Sequence, residues 1–149
     1  MDRKSITDKL MSEVAGVCAC QKVRSAARVL TRRYEEALKP TGLTGTQYSM
    51  LTVILVTEGR TLTELATFMD IERTTLLRNL KPLERDGLVE VSAEGFRRAR
   101  TVTASDKGVA IMAKALPLWR EVQNSLKAEL GATGWKHMQD SMNILGQMK

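Results

Sequence analysis

The apolar spacing between Thr61 and Ser105 changes period within one short stretch, and this restricts the fold more than any other feature of the chain. Thr61 and Glu64 have capping-box spacing, in which the hydroxyl accepts a backbone N–H and the carboxylate reaches back to the cap. Leu62, Leu65, Ala66 and Met69 follow on one helical stripe. Asp70-Ile71-Glu72 is a polar break around one apolar anchor, as a tight helix–helix turn requires. The spacing predicts a second helix from about Glu72 to Asp86, stopped by Gly87. Leu88 to Ser92 then alternates like a half-buried strand, and Ala93 to Phe96 reads as a turn. Arg97, Arg98 and Arg100 lead from that turn into Val102.

Helical rotation divides the second helix into two sides. Leu76, Leu77, Leu80 and Leu83 share one side and are expected to pack inward. Thr74, Thr75, Arg78, Pro82 and Arg85 lie roughly opposite, with no acid among them. Arginine can grip the O6 and N7 of guanine with two bonds, and threonine offers a hydroxyl or a methyl, so this face suits a DNA groove. The plain alternative is a solvated helix face, since exposed arginines are common. Pro82 removes one N–H and crowds the carbonyl of Arg78, which predicts a bend in the last turns. The hairpin adds weight to the DNA reading. It is too short to bury three guanidinium groups, and a narrow minor groove concentrates the negative potential that attracts arginine.

These segments resemble the MarR family of winged-helix transcription regulators. The likeness is carried by Leu62-Thr63-Glu64-Leu65-Ala66, by Arg73-Thr74-Thr75-Leu76-Leu77-Arg78-Asn79-Leu80, by Leu83-Glu84-Arg85-Asp86-Gly87-Leu88-Val89, and by the run into Ala104-Ser105-Asp106-Lys107-Gly108. The chain departs from the family pattern at Phe96, which stands in place of a wing aspartate, at Ala104-Ser105, which replaces Leu-Thr, and at Pro82. The resemblance implies a mainly α fold: a winged helix-turn-helix DNA-binding lobe over 44–108, and dimerisation helices over 1–43 and 109–149. It implies that Arg78 is a major-groove arginine and Arg98 the wing-tip arginine; together with the helix face and the hairpin, the expected DNA-binding residues are Arg73, Thr74, Thr75, Arg78, Arg97 and Arg98. It also implies an effector pocket between the dimer helices and the DNA-binding lobe, for which Tyr48 and Arg24 are candidate lining residues.

Composition points the same way. The chain has 149 residues and a net charge of +6, with a pI near 9.6. Such a balance favours an acidic partner, nucleic acid before an anionic membrane. No apolar run approaches the ~18 residues of a membrane span, and Met1 to Met11 lacks a signal-peptide core. A cytoplasmic protein is expected.

The rest of the chain reads as helix. Residues 1 to 13 are polar and are expected to be frayed or loosely helical. Val14 to Leu38 carries Val23, Ala27, Leu30, Tyr34 and Leu38 at helical spacing and is closed by Pro40-Thr41-Gly42. Thr44 and Gln47 form a second capping box, opening a helix that is apolar on much of its circumference and so belongs to the core. Ser105 is a candidate N-cap for a long helix to about Leu130. Pro117 is expected to bend that helix and Gly131 to Gly134 to break it before a last helix bearing Trp135, Met138, Met142 and Leu145. These terminal stripes exceed what a small winged lobe can cover. A second copy of the chain is the economical cover, and a two-fold dimer matches a palindromic operator.

Cys18 and Cys20 are the only cysteines. They are too few for a zinc site, His137 is remote in sequence, and residues two apart on a helix diverge, so neither metal nor disulfide is expected. Cys20 falls where the organic-peroxide-sensing branch of the family keeps its reactive cysteine, and Tyr34 matches a tyrosine of that branch, whereas Arg24 replaces a second one. Cys20 is therefore a candidate redox trigger; the plain alternative is a small apolar residue. No phosphate loop, metal motif or nucleophile–base pair is present, so no catalytic residue and no cofactor are expected. The expected function is a homodimeric DNA-binding regulator, in this family most often a repressor, released by a small-molecule effector. Its rival of another class is a helical module whose basic face binds an acidic protein.

Overall fold

The computed structural model describes residues 2–92 and 99–148. Six helices and one two-stranded sheet follow in the order α1 (Arg3–Glu13), α2 (Ala19–Leu38), a 3-10 turn (Lys39–Thr41), α3 (Gly45–Val56), α4 (Leu62–Phe68), α5 (Arg73–Arg85), β1 (Val89–Val91), β2 (Val102–Ala104) and α6 (Asp106–Gln147). The expected mainly helical, winged architecture is present, with extended structure confined to the hairpin among the described residues.

Both capping boxes form. Thr44 Oγ1 accepts from Gln47 N–H while Gln47 Oε1 accepts from Thr44 N–H, and Thr61 and Glu64 repeat the arrangement at the start of α4. The core gathers Leu38 from α2, Leu51 and Ile54 from α3, Leu62 and Leu65 from α4, Leu76 and Leu83 from α5, Val102 from β2 and Ala115 from α6. The all-round apolar character of α3 is explained by its neighbours, since it packs against α2, α5, β2 and α6.

Three expectations are corrected. Residues 3–13 form a regular helix, opened by Asp2, whose carboxylate accepts from Ser5 N–H at 2.8 Å. None of its residues is buried, and Ile6, Leu10 and Met11 face outward from the single chain. The helix expected from Val14 begins instead at Ala19. Gly16 adopts φ 78°, a left-handed turn that a residue with a Cβ resists, and Cys18 becomes the N-cap. The break expected over 131–134 narrows to Gly131 (φ 68°, ψ 168°), on either side of which α6 is helical. Pro117 and Pro82 both lie within helices that continue past them. No helix among the described residues is long and apolar enough to cross a membrane.

Candidate nucleic-acid interface

The interface is built outward from α4. The Thr61 hydroxyl accepts from Glu64 N–H, while the Glu64 carboxylate accepts from both Thr61 N–H and its hydroxyl at 2.8 Å. Those bonds hold the Glu64 carboxyl below the ordinary carboxylate range. Ile71 N–H donates to Ala66 C=O at 3.0 Å and closes the turn, with Asp70 at φ 51°. This turn sets α5 against α4.

Leu76, Leu80 and Leu83 bury one side of α5, and Leu77 is half-buried against the same core. Arg73, Thr74 and Arg78 are exposed on the outside and Thr75 is half-exposed. Neither Arg73 nor Arg78 makes an ion pair among the described residues. Arg85 differs from them. Its guanidinium clasps Asp86 through two bonds of 2.8 and 3.2 Å, so the outer face of α5 is free of acid only up to its last turn. That pairing draws the Asp86 carboxyl below its ordinary range.

The hairpin stands beside α5. Val89, Glu90 and Val91 pair antiparallel with Ala104, Thr103 and Val102, and Thr61 bridges to Thr101. Ser92 N–H donates to Thr101 C=O, and Thr101 N–H donates to the Ser92 hydroxyl, both at 2.9 Å, which ties the stem. Arg97 and Arg98 lie outside the described residues. Arg100, the third hairpin arginine, is half-buried. Its carbonyl accepts from Leu62 N–H at 3.0 Å, and its Nε is buried without a hydrogen-bond partner among the described residues, because the chain here turns back against α4.

A clamp joins the end of α5 to the start of α6. Ser105 caps α6 by accepting from Gly108 N–H and donates its hydroxyl to Gly87 C=O at 2.7 Å. Lys107 Nζ donates to Asp86 C=O at 2.7 Å, and Ser105 N–H donates to Leu88 C=O at 3.1 Å. Gly108 is buried against this junction, so close that a Cβ there would lie 2.1 Å from the Leu88 carbonyl oxygen. These contacts tie the α5–β1 junction to the start of the long α6.

Behind α5 lies an open cavity of about 830 Å³, walled by α2, α3, α6 and the inner side of α5. Tyr34, Tyr48, Met50, Asn79 and Trp119 are among its walls. Tyr48 was an expected lining residue; Arg24, the other, is exposed on α2 and is not part of the wall. Burial pushes both phenols above their ordinary range; Gln123 Nε2 donates to the Tyr34 hydroxyl at 2.8 Å and opposes part of that shift. Asn79 and Trp119 escaped the sequence reading. Each sits on its own helix with no local signal that the two converge. Cys20 is exposed in the first turn of α2, and Cys18, its N-cap, is half-buried.

A helix-turn-helix with a hairpin on one side and a long helix clamped to its base is the geometry in which the relatives are found. Residues 41–99 match the MarR family model. The chain is 45% identical to the Mycobacterium tuberculosis transcriptional regulator MosR, solved in complex with DNA. That match covers 87% of this chain and 94% of the other, with a TM-score of 0.78. The chain belongs to the MarR family. It is also 24% identical over 116 residues to the HTH-type transcriptional regulator BilQ of Clostridioides difficile, covering 77% of this chain and 78% of that protein. The repressor CouR bound to p-coumaroyl-CoA shares the MarR fold, with a TM-score of 0.80 at 23% identity over 94% of this chain and 96% of the other. A MarR protein is a DNA-binding transcriptional regulator, so the rival reading as an acidic-protein binder is set aside.

Proposed function

We propose that two copies of this MarR protein bind a palindromic operator and repress transcription, and that a small molecule in the cavity behind α5 releases the DNA. Arg73, Thr74, Thr75 and Arg78 enter the major groove, and Arg97 and Arg98 reach the neighbouring minor groove. The observation that carries this reading is the outer face of α5. Arg73, Thr74 and Arg78 stand exposed side by side, without acid partners among the described residues, on a helix whose opposite side is locked in the core. Such a face presents donors to phosphates and base acceptors without reorganising.

Dimerisation through 1–43 and 109–149 is supported by what the single chain leaves uncovered. Leu10 and Met11 of α1 and Leu130, Met142, Ile144 and Leu145 of α6 are exposed. Exposed apolar surface of this kind marks an association site, and two-fold pairing would present two α5 helices about one DNA turn apart. The lobe over 44–108 would carry the DNA contacts. The cavity lies between these two parts, so a ligand there would alter the spacing of the α5 helices and prevent both half-sites from being held together.

The test is selection of bound sites from a random duplex pool, followed by anisotropy titrations across a salt series. A two-fold symmetric site, a steep salt slope, and weaker binding by Arg78→Ala and Arg98→Ala are expected. Absence of binding at low ionic strength, or an Arg78→Ala protein indistinguishable from wild type, would overturn the proposal. The exposure of Cys20 supports a second trigger for the same regulator, thiol oxidation. Peroxide would then release DNA from wild type and not from Cys20→Ser; equal behaviour of the two proteins removes this trigger.

A further inference from the structure

We propose that Arg60, held flat against Phe68, is a further DNA contact of this lobe and takes the phosphate strand that runs between the two grooves. The contact presupposes the placement of α5 and the hairpin on a duplex proposed above, and deepens it.

Phe68 stands out on the surface of α4. It is 53% exposed, whereas Leu65 and Ala66 of the same helix are buried. The guanidinium of Arg60 lies 5.2 Å from the centre of its ring. Arg60 is itself exposed and makes no ion pair among the described residues. Glu64 is the acid near enough to feel its charge, and that carboxylate is already taken up by the N–H and hydroxyl of Thr61. Arg85 differs, since Asp86 occupies its guanidinium.

Stacking prepares a guanidinium for an anion. One flat face lies on the ring, and the N–H groups in the plane stay free to take a phosphate through two parallel bonds. The ring also restricts the side chain before any anion arrives, so less freedom is lost on contact.

The fold places this group at the junction of the two elements that meet DNA. Arg60 N–H donates to Thr57 C=O at 3.3 Å, and the next residue, Thr61, bridges to Thr101 of the hairpin stem. The backbone of Arg60 is thereby tied to the hairpin. Its side chain ends over Phe68, the last residue of α4, from which the chain turns at Asp70 into α5. With α5 in the major groove and the hairpin in the adjacent minor groove, one sugar–phosphate strand runs between them, because the two grooves share it as a wall. That strand carries a negative charge at every nucleotide. A cation between hairpin and helix meets it without reading a base, so Arg60 contributes affinity and register, not sequence preference.

Anisotropy titrations of the full chain over a salt series test this, on the selected operator and on a random duplex. Wild type is compared with Arg60→Gln, Arg60→Lys, Phe68→Leu and Lys136→Gln. Arg60→Gln should reduce the slope of log affinity against log salt by about 1 on both duplexes, the counterions released by one phosphate. Arg60→Lys keeps the charge and should restore the slope. Phe68→Leu keeps the charge and loses the stack, so it should hold the slope and weaken both duplexes roughly two- to fivefold. Lys136→Gln removes a positive charge from the later part of α6, where Asp140 pairs with it, and should leave the slope unchanged. A wild-type slope in Arg60→Gln, a loss confined to the selected operator, or a Phe68→Leu protein that binds as wild type does would overturn the assignment. Arg78→Ala separates it from the broader reading. Weaker binding by Arg78→Ala beside an unchanged Arg60→Gln overturns the Arg60 contact alone, whereas no effect from either overturns the placement on the duplex as well.

Discussion

Replacing Gly108 with alanine presses on the contact that joins α6 to the junction between α5 and β1. The new Cβ would sit 2.1 Å from the Leu88 carbonyl oxygen, 3.1 Å from its carbon and 3.5 Å from Leu51 Cδ1. Real Cβ atoms do not approach closer than 3.0 Å, so the two backbones must part by about 0.9 Å. Leu88 cannot yield easily. Its N–H donates to Leu83 C=O at 2.8 Å, and its own carbonyl accepts from Ser105 N–H. Overpacking of a buried site costs about 1–3 kcal/mol. Loss or stretching of the Ser105–Leu88 bond adds about 1 kcal/mol. Alanine returns up to about 1 kcal/mol through its better helix propensity. The balance is a loss of about 2 kcal/mol, or roughly 4–8 °C in Tm for a chain of this size. Guanidinium unfolding followed by circular dichroism at one fixed protein concentration measures it, the concentration being held because association shifts apparent stability. Gly146→Ala is the control. It has nothing within 4 Å of the added carbon and should leave stability unchanged or slightly raised. A Gly108→Ala protein within about 0.5 kcal/mol of wild type would refute the clamp as a rigid contact.

Other outcomes follow from the same geometry. Arg78→Ala should cost about 1–3 kcal/mol of operator affinity and relax base preference, as measured by anisotropy against a set of altered half-sites. Arg85→Ala should change the same titration much less, because Asp86 already holds that guanidinium. Asp70 sits at φ 51°. Asp70→Val should therefore destabilise by about 1–2 kcal/mol in chemical unfolding, whereas Asp70→Asn should be close to neutral. Arg33 pairs with Glu129 through two bonds of 2.7 and 2.8 Å, linking α2 to α6. This pairing, with help from the Ser125 hydroxyl, holds the Glu129 carboxyl below its ordinary value of 4.5. Because the folded value is the lower one, the pair's stabilisation is present above about pH 4.5 and fades as pH falls through the lowered value. Wild type should thus lose more stability on acidification than Glu129→Gln, as read by unfolding midpoints at pH 7 and below 4.5; parallel pH curves for the two proteins would exclude the pair as a contributor.

Features carried by neighbours in sequence were legible before any fold was known. The capping boxes at Thr44 and Thr61 need only residues three apart. The buried side of α5 repeats at helical spacing, and Arg73, Thr74 and Arg78 remain outside because no apolar residue interrupts their face. The errors fell where local signals were weak or competing. Gly16 divides what reads as one continuous helix from Val14, since apolar spacing persists on both sides of a residue that turns the backbone. The burial of Arg100 Nε was likewise not legible, because it follows from the backbone beyond the hairpin meeting Thr61 and Leu62, far back in the chain.

By itself the sequence determined the period of each element, its caps, and therefore which side of α5 could meet DNA, because burial along a single helix or strand is written in residues a few positions apart. Only the tertiary structure decided that Gly108 must lie against the Leu88 carbonyl, and that Asn79, Tyr34 and Trp119 share one uncharged cavity. Those meetings depend on how helices far apart in the chain cross one another. That crossing is set by the whole packed core and leaves no periodic trace in any one segment.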